Sequence, residues 1–173
     1  MKKFFVPVLL ILSATIFTLI ACSKDNNDGS TILKVRLTDN PVNAEEVNVD
    51  IREVRVNFNS DTIQGWTTLS TNAGVYNLLG LQNGVDTLLA TGTIPGNTVK
   101  EIRLVLGANN SIKVSGTVYP LTVPSGAESG LKIKVNKTLQ TTIDSLLIDF
   151  DAALSVHQTG NGNYQLKPVL KLK

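Results

Sequence analysis

Residues with reactive side chains are few in this chain of 173 residues, and they do not form a familiar catalytic motif. Cys22 is the only cysteine and His157 is the only histidine. A Ser-His-Asp triad would therefore have to use His157, and no Gly-x-Ser-x-Gly turn is present to carry the nucleophile. We expect a protein that is not an enzyme and needs no cofactor or metal, with His157 in a loop or at a strand end.

Asp149 and Asp151 alternate with apolar residues, which places their carboxylates on one strand face about 7 Å apart. Such a pair can bind Ca²⁺. The alternative, which we prefer, is two solvated or hydrogen-bonded acids, with Asp151 capping a following helical turn.

Four aromatic residues could stack on sugar rings, as aromatic platforms do in carbohydrate-binding modules. They are Trp66, Tyr76, Tyr119 and Tyr164. Their scattered positions favour packing in the core and at strand edges instead.

The N-terminus has the layout of a secretory signal peptide. Lys2 and Lys3 precede a mostly apolar stretch over residues 4–20, and small residues follow it. An uncleaved anchor is the alternative, although the stretch is at the lower limit of the roughly 17–25 residues that a membrane span needs. Without these two lysines, basic and acidic residues are equal in number, which argues against nucleic-acid binding.

Residues 19–22, Leu-Ile-Ala-Cys, resemble the lipobox of bacterial lipoproteins. The resemblance implies cleavage before Cys22 and acylation of that residue, for example with palmitate. The alternative is a free cysteine in an ordinary signal peptide. It divides the chain into a signal peptide over residues 1–21, an acylated cysteine with a flexible tether over 22–30, and a domain over 31–173. Lys24 and Asp25 resemble the export signal of surface lipoproteins in the Bacteroidetes group, or they belong to a plain polar linker. We expect an outer-membrane lipoprotein of the cell envelope, held in the membrane through its lipid.

Alternating apolar and polar residues dominate from residue 31 onward and predict strands with one buried face. The alternation changes parity at Arg52 and Glu53, which predicts a β-bulge or a break there. Short strands separated by turn signals favour an all-β antiparallel sandwich. Residues 85–90 and 152–158 are candidates for short helices. Pro168 in the last predicted strand, over 164–172, suits an edge or an irregular pairing.

Several segments in order resemble the domain of unknown function 4382 family of Gram-negative lipoproteins. They are LKVRLTDNP at 33–41, VNVDIREV at 47–54, the stretch over 74–107, GLKIKV at 130–135, LLIDFDAALSV at 146–156 and GNGNYQLKPVLK at 160–171. The resemblance implies an immunoglobulin-like or transthyretin-like β-sandwich and no particular activity.

Three short motifs, Asp61-Thr62-Ile63, Asp86-Thr87-Leu88 and Asp144-Ser145-Leu146, resemble the O-glycosylation acceptor of exported Bacteroidetes proteins. Thr62, Thr87 and Ser145 are therefore candidate glycan carriers, unless they are simply turn residues that enter strands.

These features together predict a non-enzymatic envelope protein of binding, accessory or adhesion type, with an unknown protein or glycan partner. The alternatives are a glycan-binding surface lipoprotein and a fimbrial subunit that would use an exposed edge strand.

Overall fold

The computed structural model describes residues 29–40, 43–58, 65–95, 98–124, 130–140 and 142–173. Strands dominate these residues, because Val, Ile, Leu and Thr carry most of the apolar and β-branched content. The strands are β1 Ser30–Asp39, β2 Glu46–Asn57, β3 Trp66–Thr68, β4 Ser70–Thr71, β5 Gly74–Asn77, β6 Thr87–Pro95, β7 Thr98–Leu106, β8 Ser111–Val114, β9 Thr117–Thr122, β10 Leu131–Thr138, β11 Thr142–Phe150, β12 Val156–Gln158, β13 Tyr164–Leu166 and β14 Leu170–Leu172. The described helices are one α-helix, α1 Ala152–Ser155, and two 3₁₀ turns, Leu78–Leu81 and Gly160–Gly162.

The strands form two sheets. The smaller sheet has five strands in the order β14-β11-β1-β6-β4. The larger sheet has nine, in the order β10-β7-β2-β8-β9-β13-β12, with β3 and β5 also paired to β2.

Both sheets bury their inward residues in one hydrophobic core. Leu33, Val35 and Leu37 of β1 and Val54 and Val56 of β2 are fully buried, as the alternation predicts. Each such side chain contributes about 1.5–3 kcal/mol when it leaves water. The predicted all-β sandwich-like fold is confirmed.

The strands of the predicted antiparallel sandwich are not antiparallel throughout, because both sheets are mixed. β1 pairs with β11 in parallel over Thr31–Asp39, and β13 pairs with β9 in parallel. Strand alternation is the same in parallel and antiparallel sheets, so the pattern that locates a strand does not give its direction.

The predicted irregularity in β2 is a β-bulge. Ile51 is opposite Leu106 of β7 and Glu53 is opposite Val105, so Arg52 is the extra residue. The bulge keeps the apolar residues on both sides of it facing the core.

Of the two short helices predicted from local patterns, one is present at α1 and the other is absent. Asp151 caps α1 as expected, since its side chain accepts a hydrogen bond from Leu154 N. The helix predicted over residues 85–90 is wrong: β6 begins at Thr87, because pairing with β1 outweighs local helix preference. Pro168 lies between β13 and β14, which belong to different sheets.

Candidate ligand-binding face

The outward face of three adjacent strands in the larger sheet carries a row of positive charge. Val54 of β2, Leu104 of β7 and Ile133 of β10 point inward and are buried. The alternate residues on these strands therefore point outward. Arg55, Arg103 and Lys132 are among them.

These three cations lie directly side by side. Arg55 is opposite Arg103, and Arg103 is opposite Lys132. Neighbouring strands are about 4.8 Å apart, and like charges at directly opposed positions destabilise a sheet. The row Arg55-Arg103-Lys132, called here the cation row, is therefore not what sheet stability alone would select.

Trp66 anchors the cation row. It begins β3, which pairs with β2 through Asn57. The guanidinium carbon of Arg103 lies 4.1 Å from the centre of the Trp66 ring, and Lys132 Nζ lies 5.9 Å from it. Both distances are within cation–π range, so the ring offsets part of the repulsion.

A glycine makes room for the central cation. Gly130 comes just before β10 and has a φ of +90°. A Cβ at this position would lie 2.6 Å from Arg103 Cγ and 3.0 Å from the Leu104 carbonyl oxygen. Only a residue without a side chain lets the Arg103 stem follow this path to Trp66.

The described acids near the cation row pair with Arg55 but not with Arg103 or Lys132. Arg55 forms an ion pair with Glu53, with Nη2 2.5 Å from Oε2. Among the described residues, neither Arg103 nor Lys132 forms an ion pair, and Arg103 Nε is buried without a hydrogen-bond partner. Glu101 lies in the next row opposite Lys134, but it is only 8% exposed.

A second feature lies at the β2 bulge. Asp50 is fully buried, and its Oδ2 accepts hydrogen bonds from Arg52 Nη2 at 2.8 Å and Asn109 N at 3.1 Å. Asn110 acts like an inserted peptide group: its Oδ1 accepts from Asp50 N and its Nδ2 donates to the Gly107 carbonyl. This side chain supplies main-chain partners in the gap where β2 changes its neighbour from β7 to β8.

A cleft of about 450 Å³ lies beside this loop. Its lining combines the β7–β8 connection with one stretch of β9 and the residue after it: Leu106, Gly107, Ala108, Asn110, Pro120, Leu121, Thr122 and Val123. The lining is largely apolar, and the one amide side chain in it is already hydrogen-bonded. A ligand in this cleft would therefore make mostly apolar contacts and few hydrogen bonds to side chains.

Buried acids cluster at the end of the smaller sheet. Asp149 Oδ2 accepts from Asn40 Nδ2 at 2.9 Å and lies 3.0 Å from Lys173 Nζ, whereas Asp151 Oδ2 lies 3.0 Å from Lys171 Nζ. Both acids are hydrogen-bonded and nearly buried, which is one of the two forms that the preferred alternative allowed. In the part of the chain that the structure describes, no three His, Cys, Asp or Glu side chains are placed to hold a metal ion.

The pKa values of two acids in this cluster shift in opposite directions. Burial raises the pKa of Asp39, and hydrogen bonds from Ala152 N and Gln82 offset this only partly. Burial alone would also raise the pKa of Asp151, but hydrogen bonds from Lys171 and Leu154 N bring it below the usual value.

The four aromatic residues do not form one platform. Trp66 and Tyr76 pair with β2 at Asn57 and Val49, which places them about 26 Å apart along the strand. Tyr119 and Tyr164 are close, with ring centres 5.1 Å apart, and they pack against the core from β9 and β13. Only Trp66 reaches the cation row.

The other predicted residues are distributed widely. Ser145 is exposed on β11, Thr87 is half-buried at the start of β6, and His157 is exposed on β12. Cys22, Lys24, Asp25 and Thr62 lie outside the described residues, as do the predicted signal peptide and most of the tether. Within the described ranges, none of the helices is long and apolar enough to span a bilayer.

The fold defines a sandwich-like all-β protein with a cationic, tryptophan-containing outer face. A family model matches residues 30–168, and the chain belongs to that family, described as domain of unknown function (DUF4382). No curated protein and no solved structure matches the chain.

Proposed function

We propose that this protein is a lipid-anchored β-sandwich of the cell envelope that binds a partner and performs no catalysis. The lipobox-like residues ending at Cys22 support the anchor. The placement of a binding domain behind a polar stretch supports a role outside the cytoplasm. Lys24 and Asp25 favour the outer membrane and exposure at the cell surface.

One observation carries the binding role, and it is the cation row with Trp66. Two of its three cations have no carboxylate partner among the described residues, although like charges at directly opposed positions destabilise a sheet. A surface that holds uncompensated charge beside an aromatic ring is suited to a ligand that supplies the missing interactions.

Glycan capture is the second candidate, and Trp66 favours it, because indole rings stack on sugars and Arg donates several hydrogen bonds at once.

A fimbrial subunit has less support. The β10 edge carries Lys132, Lys134 and Lys137, and its pairing with β7 shifts register around Asn136, which has a φ of +48°. Lysines and bulges at an edge hinder the addition of another strand.

Replacement of Cys22 tests the anchor. Wild type should incorporate an alkyne analogue of palmitate and remain with the membrane fraction, whereas Cys22→Ser should incorporate none. Equal labelling of both proteins would contradict lipidation at this residue.

Protease shaving of intact cells tests the orientation. We expect proteinase K to cleave wild type but not a Lys24→Ala/Asp25→Ala variant. If neither is cleaved while a lysed control is, the domain faces the periplasm and a surface role is wrong.

The binding role itself is tested with labelled, mature lipoprotein added to envelopes from cells that lack it. Arg103→Gln/Lys132→Gln should bind less than wild type. Lys34→Gln/Lys167→Gln, which removes the same charge away from the cation row, should bind normally. Equal loss in both variants would show only a general effect of charge.

A further inference from the structure

We infer that the cation row takes an acidic polysaccharide, one that carries carboxylate or sulfate groups. This inference rests on the proposed binding role and specifies its ligand. It joins three observations: the side-by-side cations, the adjacent indole ring and the obstructed β10 edge.

The spacing of the cations fits a polymer better than a single small anion. Arg55, Arg103 and Lys132 stand on successive strands, so the cation row spans about 10 Å at the usual strand separation. A polymer with a charge on each repeat can contact several of these cations at once. Once one contact forms, the effective concentration of the next charge is high, so the overall affinity rises.

Arg103 is the central cation of the three, and it lies nearer the indole ring than Lys132 does. Its guanidinium group faces the Trp66 ring, which accepts no conventional hydrogen bond, and no described carboxylate pairs with it. Arg is also the side chain whose forked donors match planar carboxylates and sulfate-like oxygens. Gly130 and Trp66 hold its stem and head, so little side-chain freedom remains to be lost on binding.

Neighbouring acids reduce the positive potential of this face without removing it. Glu53 is half exposed, but it is engaged by Arg55 through both Nε and Nη2. Glu101 is nearly buried and pairs in register with Lys134, not with the cation row. Lys134 adds a further exposed positive charge one row away.

An acidic peptide fits this face less well than an acidic glycan. Peptides that bind sheets usually add a strand at an edge, and the β10 edge is obstructed by three lysines and a register shift. An outward face with an indole ring instead suits sugar rings, whose apolar C–H surfaces stack on aromatic side chains.

Trp66 is the only tryptophan in the chain, so its fluorescence reports directly on this face. The full mature lipoprotein, in detergent micelles, would be titrated with polygalacturonate, dextran sulfate, neutral dextran and polyglutamate. We expect at least one acidic polysaccharide to bind about tenfold or more tightly than dextran or polyglutamate, and to bind more weakly as salt rises.

Two charge-matched variants complete the test. Arg103→Gln/Lys132→Gln should lose about tenfold or more in affinity, whereas Lys34→Gln/Lys167→Gln should keep affinity within about threefold of wild type. Equal affinity for polyglutamate would overturn the inference, because it would show unselective attraction of anions. Equal affinity for dextran would overturn it in favour of neutral glycans.

Failure of this inference can be separated from failure of the proposed function. If none of the four polymers binds but the protein still binds envelopes through Arg103 and Lys132, the ligand class is wrong and the binding role stands. If the double variant retains full affinity for an acidic polysaccharide, the cation row is not its site and the inference is wrong.

Discussion

Gly130 lies so close to Arg103 that a Cβ at position 130 would be 2.6 Å from Arg103 Cγ. Arg103 can therefore take its observed position only because residue 130, just before β10, is a glycine. Trp66 then meets the guanidinium group at the other end of the same side chain. Three residues far apart in sequence thus define one feature of the outer face.

Gly130→Ala should displace Arg103 from Trp66, because the new methyl group occupies the space of the Arg103 stem. We expect a lower unfolding temperature and a changed Trp66 emission spectrum. Gly116→Ala is the matched control, since Gly116 also has a positive φ, +77°, but has no atom within 4 Å of a Cβ. Both variants bear the strain of a positive φ, about 1 kcal/mol. The same emission change in both would contradict the proposed contact.

Gly107→Ala should destabilise the bulge region. A Cβ there would lie 2.2 Å from Asp50 Oδ2, and both the buried carboxylate and its partner Arg52 would have to move. Overpacking of this kind costs about 1–3 kcal/mol, measurable by urea denaturation.

Gly74→Ala is the control for Gly107→Ala, because nothing lies within 4 Å of a Cβ at position 74. Its effect should stay within about 0.5 kcal/mol. Similar losses in the two alanine variants would mean that Asp50 and its neighbours rearrange easily.

Asp39→Asn and Asp151→Asn should change stability in opposite directions at pH 7. The raised pKa of Asp39 means that its ionised form opposes folding, so replacement should stabilise the protein once Gln82 turns its amide to accept. The lowered pKa of Asp151 means that its ionised form favours folding, so replacement should destabilise it, although asparagine can still cap α1.

The pH dependence of these two variants follows from the same signs. Below the usual Asp pKa of about 3.9, Asp39 is protonated in both folded and unfolded states, and its variant should lose its advantage. The deficit of Asp151→Asn should persist to lower pH and disappear as pH falls through the lowered pKa of Asp151. Thermal unfolding from pH 7 to about 3 checks this; effects of the same sign at pH 7 would contradict it.

Ser145 should carry a glycan more completely than Thr87 if the Asp-Ser/Thr motifs are used. Ser145 is exposed, whereas Thr87 is half-buried. The aspartates do not distinguish the two motifs, since Asp86 is paired with Arg36 and Asp144 with Lys137. We expect the natively produced protein to exceed the mass of polypeptide plus lipid, and Ser145→Ala to reduce that excess. A mass equal to polypeptide plus lipid would exclude modification at Thr62, Thr87 and Ser145 alike.

Local patterns in the sequence predicted the strands, the bulge and one helix cap. Each depends on neighbours in the chain: alternation fixes a buried face, and its change of parity at Arg52 fixes the bulge. Strand direction depends on distant partners, which explains why the parallel pairing of β1 with β11 was not foreseen.

The candidate face was missed for a related reason. Arg55, Arg103 and Lys132 each look like ordinary outward residues of a strand, and only the register of three strands shows that they adjoin. The sequence raised Trp66 only as part of a platform with three tyrosines, and its scattered position favoured packing instead. The charge pattern along each strand gave no signal either, because Glu53 and Glu101 precede Arg55 and Arg103 by two residues on the same strands.

The free energy of unfolding of Arg103→Gln/Lys132→Gln tests most directly whether the cation row serves a ligand or the fold. We predict a change of less than about 1 kcal/mol by urea denaturation, because losing the cation–π contacts is offset by relieving the repulsion within the row. A loss of more than about 2 kcal/mol would contradict the account, since it would show that the row is part of what holds the sheet together.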